Sequence, residues 1–389
     1  MVICDGVRWD VKLRDTTVRP SRTEATWRYV RSNVGLDEAS PTLLLRATLG
    51  LQFEHMQLEG TSLASMNKAI WVVLLFLFGR VAFAEGNPAG IDTTITTNIG
   101  GIQQVLKIKG KNSGKPLLLY LHGAGGNGFS VIANADKLTS QLQEHFVVVL
   151  WDQREYGKTF LLNKSPRPLT VQLLVDDTEE VIVFLLKKFD QKKLYVAGHS
   201  MGSLTGIHIA QKYPELLYAL IEMSPPVDGI ESQKIGVSLL KVHFKKINNE
   251  RAMKELAAIQ LPARDFESLF NKYVWQSEFD GEHITDAARE EMKRMLKKWM
   301  ESSAASLSNE VFEMNFARQF PTIKCPVYFF VGRKDFVTNS TLSEQYFNAL
   351  KAPKKQLFWF EKSAHAIPDT EPELMQQTII TKVLPDTQN

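Results

Sequence analysis

Cysteine is almost missing from this chain. Cys4 and Cys325 are the only two in 389 residues, which leaves neither a disulfide framework nor a CxxC site open to it. Cys325 lies in an apolar run and reads as a small buried residue. An excess of one charge is missing too: 46 Lys and Arg face 43 Asp and Glu, a formal +3. No basic patch is interleaved with aromatics, so nucleic acid is not an expected partner. Metal-finger spacings, internal repeats and low-complexity segments do not occur, and no apolar run reaches the ~17–25 residues of a membrane-spanning helix. What is there, 44% hydrophobic and 23% charged, suffices to bury one large core or two modest ones.

The run Ala69 to Phe78 follows Met66-Asn67-Lys68 and is cut short by Gly79 and Arg80, before Val81-Ala82-Phe83-Ala84. As a helix it would cover about 15 Å at ~1.5 Å per residue, half of a hydrocarbon core. A basic start, a short apolar centre and an Ala-x-Ala end make residues 66–84 an expected secretory signal peptide, with Glu85 first in the mature chain. The protein would then meet the membrane only in transit and be periplasmic or secreted; the competing reading keeps 69–84 as an anchor. Residues 1–65 sustain no helical or strand period. Because signals act at a chain terminus, these residues read as a poorly packed upstream extension, with Met66 the true start.

Beyond Glu85 the pattern is orderly. Thr93 to Thr97 and Gln103 to Ile108 are β-prone and separated by Gly100-Gly101, as in an antiparallel hairpin. Pro116 to Leu121, Phe146 to Trp151, Leu194 to Ala197, Tyr218 to Met223, Cys325 to Val331 and Gln356 to Phe360 are apolar runs suited to a sheet interior. Helical sequence alternates with them, including a Thr170-capped stretch to about Phe189 and a closing helix from Pro372 to Val383. This alternation predicts an α/β fold, a mostly parallel sheet flanked by helices, built from 85–224 and 321–389. Between them, 225–320 reads as a helical lid with helices over Ser232–Ile247, Arg251–Ile259, Asp286–Ser302 and Ser308–Phe316. Its Phe266, Phe270, Tyr273, Trp275, Phe279, Trp299 and Phe312 are expected to form the lid core, with some facing the substrate.

Chemistry concentrates at strand ends. Lys193 to Ala197 runs into Gly198-His199-Ser200-Met201-Gly202 and then a helix, a strand-turn-helix that exposes a serine hydroxyl, Gly198 and Gly202 being small because a Cβ there would collide with a neighbouring element. Asp335 and His365 follow two later strands, and the order serine, acid, histidine makes Ser200, Asp335 and His365 the candidate nucleophile, orienting acid and base. Asp369 is on the same loop as His365 beyond Pro368 and is less able to reach the imidazole. His122-Gly123-Ala124 ends the strand at Leu121, where an oxyanion needs a donor, and the backbone amides of Ala124 and Met201 are the expected pair. His122 reads as structural. The Gly-rich run that follows lacks the G-K-[ST] ending of a phosphate cradle.

Taken together, His122-Gly123-Ala124-Gly125-Gly126, Trp151-Asp152-Gln153-Arg154, Gly198-His199-Ser200-Met201-Gly202, Gly332-Arg333-Lys334-Asp335 and Ser363-Ala364-His365 resemble the proline iminopeptidase-like branch of the α/β-hydrolase fold, from about Ile99 to Val383. The resemblance implies that Asp152 and Arg154 help shape the oxyanion region. The chain departs from the family at Ala124-Gly125, where Gly-Pro is usual, at Glu155 in place of Gly, and at Met201 in place of Trp. Met201 replaces part of the proline recognition. Glu222, Asp228, Glu231 and Glu250 are candidate ammonium binders, or solvated helix faces. The expected function is an exported serine hydrolase acting on amide or ester bonds of a small molecule or short peptide, without cofactor or metal, most like an iminopeptidase-type aminopeptidase. The alternatives are a carboxylesterase of the same fold and a binding protein that kept the fold without catalysis.

Overall fold

The computed structural model describes residues 89–124, 129–279, 281, 283–301 and 305–387, all within the unit Glu85–Asn389. The expectations for 1–84 and for the run 125–128 lie outside these residues. The strands, in chain order, are β1 (Ile91–Ile99), β2 (Ile102–Gly110), β3 (Leu117–Leu121), β4 (Val147–Asp152), β5 (Leu194–His199), β6 (Leu217–Met223), β7 (Val327–Gly332) and β8 (Lys355–Phe360). They form one eight-stranded sheet in the order β1-β2-β4-β3-β5-β6-β7-β8. The β1-β2 hairpin and the β2-β4 pair are antiparallel; every later pairing is parallel.

The apolar runs are continuous because both sheet faces are covered. Along β3, Leu117, Leu119 and Leu121 enter one core with Val196, Leu220 and Phe329. Leu118 and Tyr120 enter the other, with Tyr195, Ile221 and Phe330. Around the sheet pack α1 (Val171–Lys188) and α2 (Met201–Lys212). The Thr170 hydroxyl accepts the Leu173 N–H at 3.1 Å, satisfying one of the donors exposed at the start of α1.

Between β6 and β7 come α3 (Gly229–Lys246), α4 (Glu250–Ala257), α5 (Phe266–Phe279), α6 (Asp286–Met300) and α7 (Ala305–Phe312). These helices have their own apolar core around Phe244, Leu256, Phe270 and Trp275, against which Phe266, Phe279, Trp299 and Phe312 pack. Tyr273 is exposed instead. The expected helix over 308–316 ends earlier, because Asn315 leaves the helix and caps a separate turn, Phe316–Gln319, by accepting the Arg318 N–H. Helix α5 has no counterpart in the sequence reading: apolar residues on several of its faces blur the 3.6-residue period. After β7, α8 (Ser340–Ala349) leads to β8, and α9 (Pro372–Thr378) widens into a π-helical turn at Ile379–Val383 rather than running on as a regular helix.

Candidate active site

Ser200 joins β5 to α2 at φ 53° and ψ −115°, a backbone conformation that costs on the order of 1–3 kcal/mol and persists only where its surroundings impose it. Close packing imposes it here. A Cβ on Gly202 would stand 2.0 Å from the Leu121 carbonyl oxygen, and one on Gly198 would be 2.5 Å from the Gly202 oxygen. The Ser200 N–H donates to the Met223 carbonyl at 2.9 Å, tying the turn to the end of β6. The result is a serine side chain at the start of a helix, above the carboxyl edge of the sheet, where α/β proteins place their ligands.

His365, in the loop after β8, reaches two partners at once. Its Nε2 is 2.9 Å from Ser200 Oγ and its Nδ1 is 3.0 Å from Asp335 Oδ2. Asp335 is 1% exposed and all of its acceptor capacity in the turn after β7 is used. Oδ1 takes the N–H groups of Val337 and Thr338, and Oδ2 takes the Thr338 hydroxyl at 2.8 Å beside the imidazole. Burial alone would raise its pKa; the His365 ring and the Thr338 hydrogen bonds outweigh this and hold it at about 2. An acceptor that is ionised near neutral pH therefore orients one ring nitrogen while the other faces the serine hydroxyl, the geometry that lets an imidazole take a hydroxyl proton. Asp369 is elsewhere, in the Ile367–Thr370 turn, paired with Lys137 at 3.1 Å.

The loop after β3 lies directly over the serine: a Cβ on Gly123 would come within 3.0 Å of Ser200 Cβ. His122 and Gln153 anchor it. His122 Nδ1–H donates to the Gly123 carbonyl, His122 Nε2 accepts the Gln153 N–H, and the Gln153 amide donates to the His122 carbonyl. Burial drives His122 down to about 4, so it stays neutral and can accept. Asp152 accepts from Ser130 Oγ, Ile132 N and Lys158 N, fixing the segments that flank β4. Arg154 forms a fully buried bidentate pair with Asp177 of α1 and donates to the Gly100 carbonyl of the β1-β2 turn. Glu155 follows at φ 68°, in the left-handed region where glycine carries no penalty.

The four carboxylates weighed as ammonium binders have other surroundings. Asp228 caps α3 and accepts from Asn315. Glu231 pairs with Lys234 at the surface, and Glu250 is exposed in the first turn of α4. Glu222 is 0% exposed under α2, and both its carboxyl oxygens lack a hydrogen-bond partner among the described residues. Ser203 beside it donates instead to the Gly198 and Met223 carbonyls. Desolvation therefore raises the Glu222 pKa well above the ordinary value. The folded protein keeps this proton where the unfolded chain releases it, so stability falls as pH rises from about 4.5 toward the folded pKa. Glu222→Gln removes that dependence. The stability difference between variant and wild type is expected to grow by about 1.4 kcal/mol per pH unit in that window, measured as denaturant midpoints at pH 5, 6.5 and 8. A difference that stays constant with pH would show Glu222 ionising normally.

Two residues that the sequence reading passed over belong to the site, His199 and Ser224. His199 was legible only as the variable position of the G-x-S-x-G pattern, and Ser224 only as a polar residue ending a strand.

Proteins with this sheet, these flanking helices and a serine at such a turn are α/β-hydrolases, and the chain is a hydrolase of that class. More narrowly, it belongs to the serine aminopeptidase, S33, family, whose model matches residues 112–373. It is 30% identical over 302 residues to the Probable aminopeptidase YbaC of Bacillus subtilis, spanning 72% of this chain and 93% of that protein. Among solved structures it is similar to a proline iminopeptidase of Mycobacterium smegmatis (TM-score 0.54, 16% identity, 76% of this chain and 98% of that one). A thermophilic esterase from Thermogutta terrifontis is similar too (TM-score 0.51, 17% identity, 76% and 100%). At such identities the two structures speak for the fold alone. Among the described residues, no helix is long and apolar enough to cross a membrane, and no three His, Cys, Asp or Glu side chains are grouped to hold a metal ion.

Proposed function

We propose that this hydrolase works through Ser200, His365 and Asp335 and removes an amino-terminal residue from a short peptide or aminoacyl amide. The observation that carries the reading is the unbroken hydrogen-bonded series Ser200, His365, Asp335. His365 Nε2 takes the hydroxyl proton as Oγ bonds to the substrate carbonyl carbon. The resulting imidazolium is stabilised by Asp335, and the oxyanion rests on the Ala124 and Met201 amides. His365 then gives its proton to the leaving amine, and water repeats the sequence on the acyl-serine. No step calls for a cofactor. The helices of 225–320 act as a lid over this edge of the sheet, and residues 66–84 direct export, so that amino-terminal sequencing of the exported protein should read from Glu85.

The similarity to an aminopeptidase supports preferring peptides to esters in this reading. A panel of aminoacyl amides, their N-acetylated forms and short acyl esters tests the choice. Acetylation of the substrate amine is expected to lower kcat/KM by at least about 10²-fold, since a site built for a free amine is left with unpaired polar groups. Indifference to the amine, with esters cleaved as fast as amides, would make the protein a carboxylesterase.

A further inference from the structure

We infer that His199 and Ser224 are positioning residues, which together hold the backbone carbonyl of His365 and thereby aim its ring at Ser200 and Asp335 simultaneously. The inference rests on the catalytic reading of His365 given above.

His365 lies in an irregular loop, yet its ring has to meet a serine that follows β5 and a carboxylate that follows β7, at 2.9 and 3.0 Å. Side-chain rotation can satisfy both only if the peptide that carries the ring is fixed in place. Two donors fix it. His199 Nε2 is 2.9 Å from the His365 carbonyl oxygen, and Ser224 Oγ is 3.0 Å from the same atom. A carbonyl oxygen only accepts, and among the described residues these two bonds are the ones that tie it to the sheet, the Ile367 contact being local to the loop. Each donor stands on a rigid support. His199 is the last residue of β5, directly before Ser200. Ser224 follows β6 at φ 47°, and its N–H donates to the Phe330 carbonyl of β7 at 3.0 Å.

The hydrogen bond also assigns the His199 tautomer. With its proton on Nε2, Nδ1 is bare and turns toward the loop over the serine, where a Cβ on Gly123 would lie 3.2 Å away. Burial first, and the neighbouring His365 second, bring His199 down to about 4, so it is neutral at working pH. Neutrality matters because the two rings are 5.2 Å apart. A cationic His199 would oppose the positive charge that His365 acquires when it takes the serine proton. Asp335 and Asp369 are the acidic groups acting on His199, and both oppose the effect of burial.

The test compares His199→Leu, His199→Gln, Ser224→Ala and the His199→Leu/Ser224→Ala double variant with wild type. Each single loss of a donor is expected to lower kcat about tenfold and the double at least about 10²-fold, the range expected of a misplacement near 1 Å, with KM within about twofold. His199→Gln, which keeps an N–H donor, should retain more activity than His199→Leu. The downfield proton resonance of the His365 Nδ1–H to Asp335 bond should be present in wild type and lost in the double variant. Wild-type kcat in the double variant overturns the inference, as does an intact resonance or equal activity in the Gln and Leu variants. Ser224→Ala removes one oxygen at an unchanged backbone and so keeps the question answerable if the His199 variants fail to fold. Labelling of wild type by a fluorophosphonate, absent in Ser200→Ala, tests the catalytic reading separately; if it holds while the clamp variants behave as wild type, only the clamp fails.

Discussion

Ser200→Ala is expected to lower kcat by on the order of 10⁶ and to abolish labelling by a fluorophosphonate probe, with the fold unchanged. The size follows from what the hydroxyl does in the proposed reaction. It is the atom that bonds to the substrate and the donor of the proton that His365 receives at 2.9 Å, so no neighbour can make up the loss. The fold should survive because the turn is fixed by its surroundings. The constraints at Gly198 and Gly202 and the N–H bond to Met223 are untouched by removing one oxygen. Circular dichroism and melting temperature should match wild type. Retention of more than a few per cent of activity would place the nucleophile elsewhere, and a wild type that resists the probe would favour a binding protein with this fold.

Asp335→Asn should cost about 10⁴ in kcat, and the turn around the acid explains why an almost isosteric change is so damaging. Oδ1 of Asp335 accepts two backbone N–H groups, from Val337 and Thr338. An asparagine will keep its only acceptor oxygen there, because turning it away would leave two buried donors unpaired. Its NH₂ group is then forced to the place where Oδ2 meets His365 Nδ1. Facing a donor, Nδ1 must be bare, the ring proton moves to Nε2, and the imidazole presents a proton to Ser200 instead of a lone pair. Asp369→Asn is the control. It removes a surface pair with Lys137, and Asp369 makes no hydrogen bond to His365, so kcat should stay within about twofold of wild type. Were the two variants to exchange these outcomes, Asp369 would be the acid.

Much of the sheet was legible because buried parallel strands leave an unmistakable trace: Leu117–Leu121 and Val327–Gly332 are apolar throughout, since both their faces are covered. The Thr170 cap was equally plain, its hydroxyl and the amphipathic run after it being local signals. The region between β6 and β7 was harder to read. Helix α5 packs Phe270 toward Arg289 of α6 and Phe279 toward His243 of α3 and Phe336 of the acid turn. A helix that meets neighbours on several sides needs no polar stripe, so periodicity gives no warning of it.

In the site, the sequence by itself determined the elements of the reading that depend on order and on local backbone. A serine between two glycines after a strand, then an acid, then a histidine, each after a further strand, could be named without coordinates because the constraints act within a few residues. Tertiary structure alone decided where Glu222 goes and what His199 and Ser224 do. Sequence order already favoured Asp335 over Asp369, and the turn after β7 brings it to 3.0 Å of the imidazole. Glu222, a candidate for contact with substrate, turns beneath α2 because the residues of β6 alternate between the two covered faces of the sheet. His199 and Ser224 act on a carbonyl 166 and 141 residues away along the chain. That encounter exists only once β5, β6 and β8 lie in one sheet, and no composition, spacing or period encodes a hydrogen bond to a backbone oxygen so distant in sequence.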